Sequence, residues 1–197
     1  MTRPTPPKLH CASSESDHAS SPKPCAAPTG KRIALLGGSF NPPHYGHVGL
    51  GDYIIEQCLA DEVWYMVTPH NPLKKQSDLL PEDQRLRLVE QAIQGHPRLH
   101  ACDFEFALPR PSYTMQTLDA LRVAYPAHTF LLLIGADNWA RFAKWRDHQR
   151  ILAEYEILVY PRTGTTIDPA SLPPNVRLLN APIHPISSTE LRQAAEK

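Results

Sequence analysis

The sequence predicts a single α/β domain with a doubly wound parallel sheet. Short, continuously apolar segments recur along the chain, and segments with helical periodicity separate them. The length agrees, because 197 residues suffice for one well-packed core but not for two typical domains. No internal repeat interrupts the alternation.

Six segments are predicted to be strands because they are short, apolar and bounded by turn residues. The first, Arg32–Leu36, stops at Gly37-Gly38, which is typical of a buried strand that ends in a turn. The others are Glu62–Val67, Leu99–Asp103, Thr129–Ile134, Glu156–Tyr160 and Val176–Leu179.

Helical patterns fill the intervals between these strands. They are Gly46–Leu59, Pro81–Gln94, Thr114–Ala124, roughly Trp139–Ala153, and a last helix that starts near Ser188. In sheets of this kind, ligands bind beyond the carboxyl ends of the strands, near the switch in strand order. We therefore expect the functional residues in the segments that follow the strands.

Composition excludes several classes of protein. The 20 Lys and Arg residues balance 20 Asp and Glu residues, so binding to a long polyanion such as nucleic acid is not expected. No apolar run approaches about 18 residues, so a membrane-spanning helix is not expected either. Four scattered cysteines (Cys11, Cys25, Cys58 and Cys102) form no CxxC pair, which fits a reducing, cytoplasmic location.

Residues 1–31 are predicted to be a disordered tail, and residues 32–197 the folded domain. The tail is rich in Pro, Ser, Ala and Thr, and Leu9 is its only large aliphatic residue beyond the first Met. Such a segment buries too little surface to offset its ordering entropy. It lacks the apolar centre of a secretory signal, and its prolines, with Glu15 and Asp17, disfavour an amphipathic transit helix.

The loop after the first strand is the most informative segment. It reads Gly37-Gly-Ser-Phe-Asn-Pro-Pro-His44-Tyr-Gly46-His47, and five of the nine glycines fall between Gly37 and Gly51. The spacing fits neither the GxxxxGK[ST] loop nor the GxGxxG fingerprint. A helix start with two imidazoles one turn apart offers several donors to a phosphate. The alternatives are a zinc site, for which no third ligand stands at a suitable spacing, and ordinary helix-start residues.

This loop resembles the HxGH motif of the nucleotidyltransferase superfamily. Near the end of the chain, Ile186-Ser-Ser-Thr189-Glu-Leu-Arg192 resembles the ISSTxxR motif of the same superfamily. The two together are far more specific than either alone. Over residues 32–192, the chain is most similar to the bacterial nicotinate-nucleotide adenylyltransferases.

The resemblance implies a Rossmann-like fold and adenylyl transfer from ATP to nicotinate mononucleotide, which gives nicotinate adenine dinucleotide and pyrophosphate in NAD biosynthesis. It implies Mg²⁺ held mainly by the ATP phosphates, with no metal ligands from the protein. It gives no reason to expect nucleic acid or a membrane as partner, and it leaves a homo-oligomer open.

The resemblance also assigns residues. The implied catalytic residues are His44, His47 and Arg192. ATP would further contact Gly37, Gly38, Ser39, Phe40, Gly135, Asp137, Ser188 and Thr189. The nicotinate nucleotide would contact Asn41, Thr68, Lys74, Lys75, Tyr113, Thr114 and Trp145.

Several alternatives stay open beside this interpretation. They are a sister enzyme such as pantetheine-phosphate adenylyltransferase or a cytidylyltransferase, a fragment of a class I aminoacyl-tRNA synthetase, and an inactive nucleotide-binding paralogue or sensor. The chain also ends at Lys197, about one helix short of the family pattern, so either the C-terminus is truncated or this version is compact. Loss of a packed helix would expose apolar surface and lower the stability.

Overall fold

The computed structural model describes residues 30–69, 79–182 and 188. Within these ranges, six strands form one sheet, and every pair of neighbouring strands is parallel. The strands are β1 (Arg32–Gly38), β2 (Glu62–Val67), β3 (Leu99–Cys102), β4 (Thr129–Gly135), β5 (Glu156–Tyr160) and β6 (Val176–Leu178). Their order is β3-β2-β1-β4-β5-β6. The predicted parallel α/β sheet is confirmed.

Helices cover both faces of this sheet. They are α1 (Tyr45–Glu56), α2 (Glu82–Ala92), α3 (Thr114–Ala124), α4 (Ala136–Trp139) and α5 (His148–Glu154), with 3-10 turns at Phe104–Ala107, Phe142–Lys144 and Pro169–Ser171. Side chains alternate between the faces along each strand. Thus Ala34 and Leu36 belong to the core under α1 and α2, while Ile33 and Leu35 belong to the core under α3 and α5. The predicted doubly wound arrangement, with helices on both faces of the sheet, is also confirmed.

The single helix predicted over Trp139–Ala153 is wrong. The structure divides this stretch into α4, a 3-10 turn and α5. Asp147, immediately before α5, has a left-handed φ of 57°, which no continuous α-helix contains. The break lets Phe142 enter the core, 4% exposed, while Trp145 stays half-buried at its edge. Apolar periodicity alone does not show such a change of direction.

The strand order changes direction between β1 and β4. Connections from β1 run toward β3 on one side, and those from β4 run toward β6 on the other. The loops at the carboxyl ends of β1 and β4 therefore diverge and leave a crevice between them. In the parts of the chain that the structure describes, no helix is long and apolar enough to cross a bilayer.

Candidate active site

A cavity of about 370 Å³ occupies this crevice. Its walls include the glycine-containing ends of β1 and β4, the residue after β2, the start of α3 and the 3-10 turn after α4. The fold thus brings together segments that are far apart in the sequence. The predicted substrate residues that line the cavity are Gly37, Gly38, Thr68, Tyr113, Thr114, Gly135 and Trp145.

Gly37 and Gly38 serve different purposes at the end of β1. A Cβ built on Gly37 meets no atom within 4 Å, so a side chain there would extend into open space at the cavity. A Cβ on Gly38 would lie only 2.9 Å from the ring of Phe40. The first glycine keeps space open for a ligand, and the second permits close packing of the loop.

His44 and His47 form a pair at the start of α1. His44 is the residue before the helix, and its backbone N–H donates to Nδ1 of His47 over 3.1 Å. The backbone N–H of His47 donates to the carbonyl oxygen of His44 over 2.9 Å. Because Nδ1 of His47 is an acceptor, the neutral ring carries its proton on Nε2. This leaves a donor on the far side of the ring.

Aromatic contacts fix the His47 ring. The ring of Phe40 packs edge-on against it at 5.1 Å between centroids, and Phe40 itself is buried with a left-handed φ of 46°. The Tyr65 hydroxyl donates to the carbonyl oxygen of His47 over 2.9 Å. Burial, and to a lesser extent the charge of Asp52, raises the pKa of Tyr65, so this hydroxyl remains a donor.

Two serine hydroxyls flank the loop between β1 and α1. Ser39 Oγ is buried and has no hydrogen-bond partner within the described part of the chain, so it could donate to a ligand. Ser188 Oγ donates to the carbonyl oxygen of Pro42 over 2.8 Å, so Ser188 itself contacts the loop. Four other predicted site residues with cationic or hydroxyl side chains lie outside the described residues: Lys74, Lys75, Thr189 and Arg192.

Asn41 and Asp137 lie near the cavity without lining it. Asn41 is 2% exposed, and its Oδ1 accepts the backbone N–H of Leu80 over 3.1 Å, so it joins two loops. Asp137 is in the first turn of α4, with its Oδ1 3.7 Å from Nε of Arg162.

An aromatic and cationic rim closes the cavity on the α4 side. Trp145 packs on Phe142 with ring centroids 5.5 Å apart, and it lines the cavity together with Lys144 and Arg146. The Arg146 guanidinium lies 4.8 Å from the centre of the Tyr113 ring, which is a cation–π contact. The sequence analysis included Trp145 and Tyr113 but missed the two cations, because charged residues after a helix usually point into solvent.

A buried carboxylate, also missed from the sequence, forms another part of the cavity wall. Glu105 is 7% exposed; its Oε1 accepts from Thr117 Oγ1 over 2.8 Å and its Oε2 from Ser112 Oγ over 3.1 Å. Burial raises the pKa of Glu105, and hydrogen bonds from Thr117, Ser112 and Thr68 oppose this effect. These bonds tie the start of α3 to the end of β2. The signal in the sequence was weak: an acidic residue shortly after a strand.

Comparison with known proteins agrees with this arrangement. A cytidylyltransferase-like family model matches residues 35–194. A probable nicotinate-nucleotide adenylyltransferase of Bacteroides fragilis (strain YCH46) is 52% identical over 163 residues, which are 83% of this chain and 81% of that protein. One from Porphyromonas gingivalis (strain ATCC 33277) is 46% identical over 159 residues, 80% of this chain and 81% of that protein.

The solved structure of Plasmodium falciparum nicotinic acid mononucleotide adenylyltransferase complexed with NaAD has a TM-score of 0.70 at 22% identity, with 83% of each chain covered. At this identity, the likeness shows a shared fold. The sequence matches go further, because they extend over most of this chain and of each relative. The chain therefore belongs to the cytidylyltransferase-like family and, within it, to the nicotinate-nucleotide adenylyltransferases.

Proposed function

We propose that the chain transfers the adenylyl group of ATP to the phosphate of nicotinate mononucleotide and releases pyrophosphate. One observation carries this proposal. The fold places a helix start suited to bind phosphate next to a cavity that is lined by aromatic and cationic side chains. His44 and His47 lie at the start of α1, the helix that follows β1 along the chain, and the end of β1 is also a wall of the cavity that Trp145 lines. Relatives up to 52% identical bear the name of this enzyme.

The reaction needs alignment and charge stabilisation more than acid–base chemistry. The attacking oxygen belongs to the mononucleotide phosphate, which is already anionic at neutral pH. The bond from this oxygen to the α-phosphorus forms as the bond to the pyrophosphate oxygen breaks. We assign Nε2 of His47 and the positive end of the α1 dipole to the negative charge that builds on these oxygens.

Magnesium enters this proposal with ATP. Among the described residues, no group of three or more His, Cys, Asp or Glu side chains is placed to hold a metal ion. Triphosphate oxygens and water are sufficient ligands for Mg²⁺, so these residues fit a metal bound mainly by the nucleotide. When bound there, Mg²⁺ neutralises part of the triphosphate charge.

Selectivity for nicotinate over nicotinamide is assigned to the α4 side of the cavity. The two pyridine rings differ by a carboxylate against an amide, so positive potential favours nicotinate. Lys144 and Arg146 line the cavity beside Trp145, whose indole can stack on a pyridine ring. The Glu105 carboxylate would repel the nicotinate carboxylate, so we orient the substrate with this group toward Arg146.

Measurement of pyrophosphate release with a panel of second substrates tests the proposal. Purified protein with ATP and Mg²⁺ is offered nicotinate mononucleotide, nicotinamide mononucleotide and phosphopantetheine, with ATP alone as the blank. We expect the highest kcat/KM with nicotinate mononucleotide. Preference for phosphopantetheine would indicate the sister enzyme, and ATP binding without any pyrophosphate release would indicate an inactive nucleotide-binding protein.

The free thiols Cys58 and Cys102 lead us to propose a reducing cytoplasmic location as well.

A further inference from the structure

The buried guanidinium group of Arg85 joins the residue that follows β1 to the residue that follows β2. Arg85 lies on α2 and is 1% exposed. Its Nη1 donates to the carbonyl oxygen of Ser39 over 2.7 Å and to that of Thr68 over 2.9 Å. Ser39 follows β1 and Thr68 follows β2, so one nitrogen connects the loop of the histidine pair to a residue of the cavity wall.

Two further hydrogen bonds extend this connection. Nε of Arg85 donates to the carbonyl oxygen of Leu80 over 2.9 Å, and Nη2 donates to that of Pro69 over 3.2 Å. All four acceptors are backbone carbonyls rather than side chains. A fixed planar fork of N–H donors suits such a set of acceptors, whereas an ammonium group has only three donors.

Packing alone does not account for a charged group at this place. Burial lowers the pKa of Arg85, the charge of Glu82 opposes this shift, and the guanidinium remains protonated at neutral pH. Among the described residues, no carboxylate forms an ion pair with Arg85. An apolar side chain would fill the same space without the cost of burying a charge. The carbonyl contacts are therefore the distinctive property of this residue.

Thr68 shows how tightly the loops are linked. Its backbone N–H donates to the carbonyl oxygen of Gly38 over 2.9 Å, its own carbonyl oxygen accepts from Arg85, and its side chain hydrogen-bonds to Glu105. Loss of the guanidinium would remove the bonds to Ser39 and Thr68 together. The bond from Thr68 to Gly38 would remain, so the loss would act on Ser39 and on the Thr68 carbonyl group, just beyond the ends of the two strands.

We propose that Arg85 is a positioning residue that holds the loop after β1 and the start of the loop after β2, at Thr68 and Pro69, at the spacing required for transfer. It touches neither substrate and acts through Ser39 and Thr68. The inference rests on the proposed adenylyl transfer, in which the first loop contacts ATP and the second contacts the mononucleotide. Misplacement by about 1 Å is enough to cost on the order of 100-fold in rate.

The test compares Arg85→Lys, Arg85→Met and the control Arg87→Met. Arg87 is on the same helix, its side chain is 72% exposed, and its nearest acidic partner is 3.9 Å away, so its loss should leave both loops in place. Each variant is assayed for kcat and for the KM of both substrates. ATP affinity is also measured by calorimetry without a second substrate, and thermal unfolding gives the folded fraction.

In Arg85→Lys we expect kcat to fall at least about tenfold and both KM values to rise at least about threefold, at a temperature where the protein is fully folded. The affinity for ATP should fall as the KM of ATP rises. Because this affinity is measured without a second substrate, the result holds even if the wild-type protein uses a second substrate other than nicotinate mononucleotide. Failure of this proposal is therefore distinguishable from failure of the proposed function. Arg87→Met should match the wild type.

Three results would overturn the proposal. One is a fall in kcat that only follows the folded fraction, with both KM values and the ATP affinity unchanged, because this would assign Arg85 to stability alone. Another is failure of both Arg85 variants to fold, because this too would assign Arg85 to stability alone. Wild-type kinetics in Arg85→Lys would equally reject it.

Discussion

The imidazole rings of His44 and His47 lie 3.8 Å apart between centroids. The His44 backbone N–H donates to Nδ1 of His47, so the chain that precedes the helix orients the second ring together with the edge-on contact from Phe40. The Nε2–H donor is thereby fixed before any ligand arrives. Pre-oriented donors stabilise developing charge without a cost of reorganisation during the reaction.

The first prediction concerns this donor. His47→Ala should lower kcat about 100-fold or more and change the KM of ATP less than about threefold, because the donor binds the transition state more strongly than the ground state. Steady-state kinetics measure both values. His96→Ala is the control, since this imidazole pairs with Asp52 at the protein surface. A normal kcat in His47→Ala would refute the assignment.

Substitution of Gly37 should block the cavity without unfolding the protein. Its φ is not positive and its Cβ position is open, so a Cβ there introduces neither backbone strain nor a clash, and the methyl groups of Gly37→Val would extend toward the cavity. We expect a melting temperature close to that of the wild type and at least about tenfold weaker ATP binding by calorimetry. Gly37→Ala should be intermediate. Undiminished affinity in the valine variant would show that no ligand occupies the space beside Gly37.

Trp145→Ala should weaken binding of the mononucleotide selectively. We expect the KM of nicotinate mononucleotide to rise about tenfold and that of ATP to change less than about twofold, since loss of aromatic stacking costs roughly 1 kcal/mol or more. The matched control is Trp139→Ala, which removes a ring packed 5.0 Å from Phe142 but outside the cavity lining. An equal effect of Trp145→Ala on both KM values would contradict the assignment.

Removal of the two rim cations should reduce selectivity for nicotinate. In the double variant Lys144→Gln and Arg146→Gln, we expect the ratio of kcat/KM for nicotinate mononucleotide over nicotinamide mononucleotide to fall about tenfold. Arg141→Gln, an exposed cation of the same segment outside the cavity lining, serves as control. An unchanged ratio would show that groups other than Lys144 and Arg146 determine the selectivity.

Glu62 should make stability depend on pH in the acid range. Burial by itself raises the pKa of Glu62, but the His100 imidazole 3.6 Å away and hydrogen bonds from Lys31 and Trp64 outweigh it and lower the pKa to about 2. A lowered pKa stabilises the fold above the unfolded-state value, and this contribution is lost as pH falls from about 4.5 to about 2. It amounts to about 3 kcal/mol at most.

Urea unfolding of wild type and Glu62→Gln at several pH values measures this contribution. The wild type should be more stable at pH 6, and the difference should shrink toward pH 2. A difference that stays constant over this range would indicate that the Glu62 charge is not involved.

Local patterns were sufficient for much of the fold. The predicted bounds of β2, β5 and α3 are the observed ones, because a run of apolar residues between turn residues specifies a buried strand by itself. The glycines and histidines after β1 also act within a few residues of each other, so their arrangement was visible in the sequence. These are the features for which neighbours along the chain are also neighbours in space.

Other features depend on contacts between distant segments. Arg85 is one of several charged residues on an amphipathic helix, and nothing in its vicinity indicates that it enters the core to reach Ser39, 46 residues away. Glu105 likewise acquires its role from Thr117 and Thr68. The break between α4 and α5 arises because Phe142 must pack inside while Trp145 remains at the cavity.

The sequence by itself thus determined the alternation of strands and helices, the glycine-ended first strand and the histidine pair that begins α1. Only the tertiary structure decided which segments meet around the cavity, and which charged side chains are buried to hold them there. The physical reason is the range of the interactions. Periodicity and turn chemistry act over a few residues, whereas burial and hydrogen bonding of Arg85 and Glu105 depend on the assembled sheet.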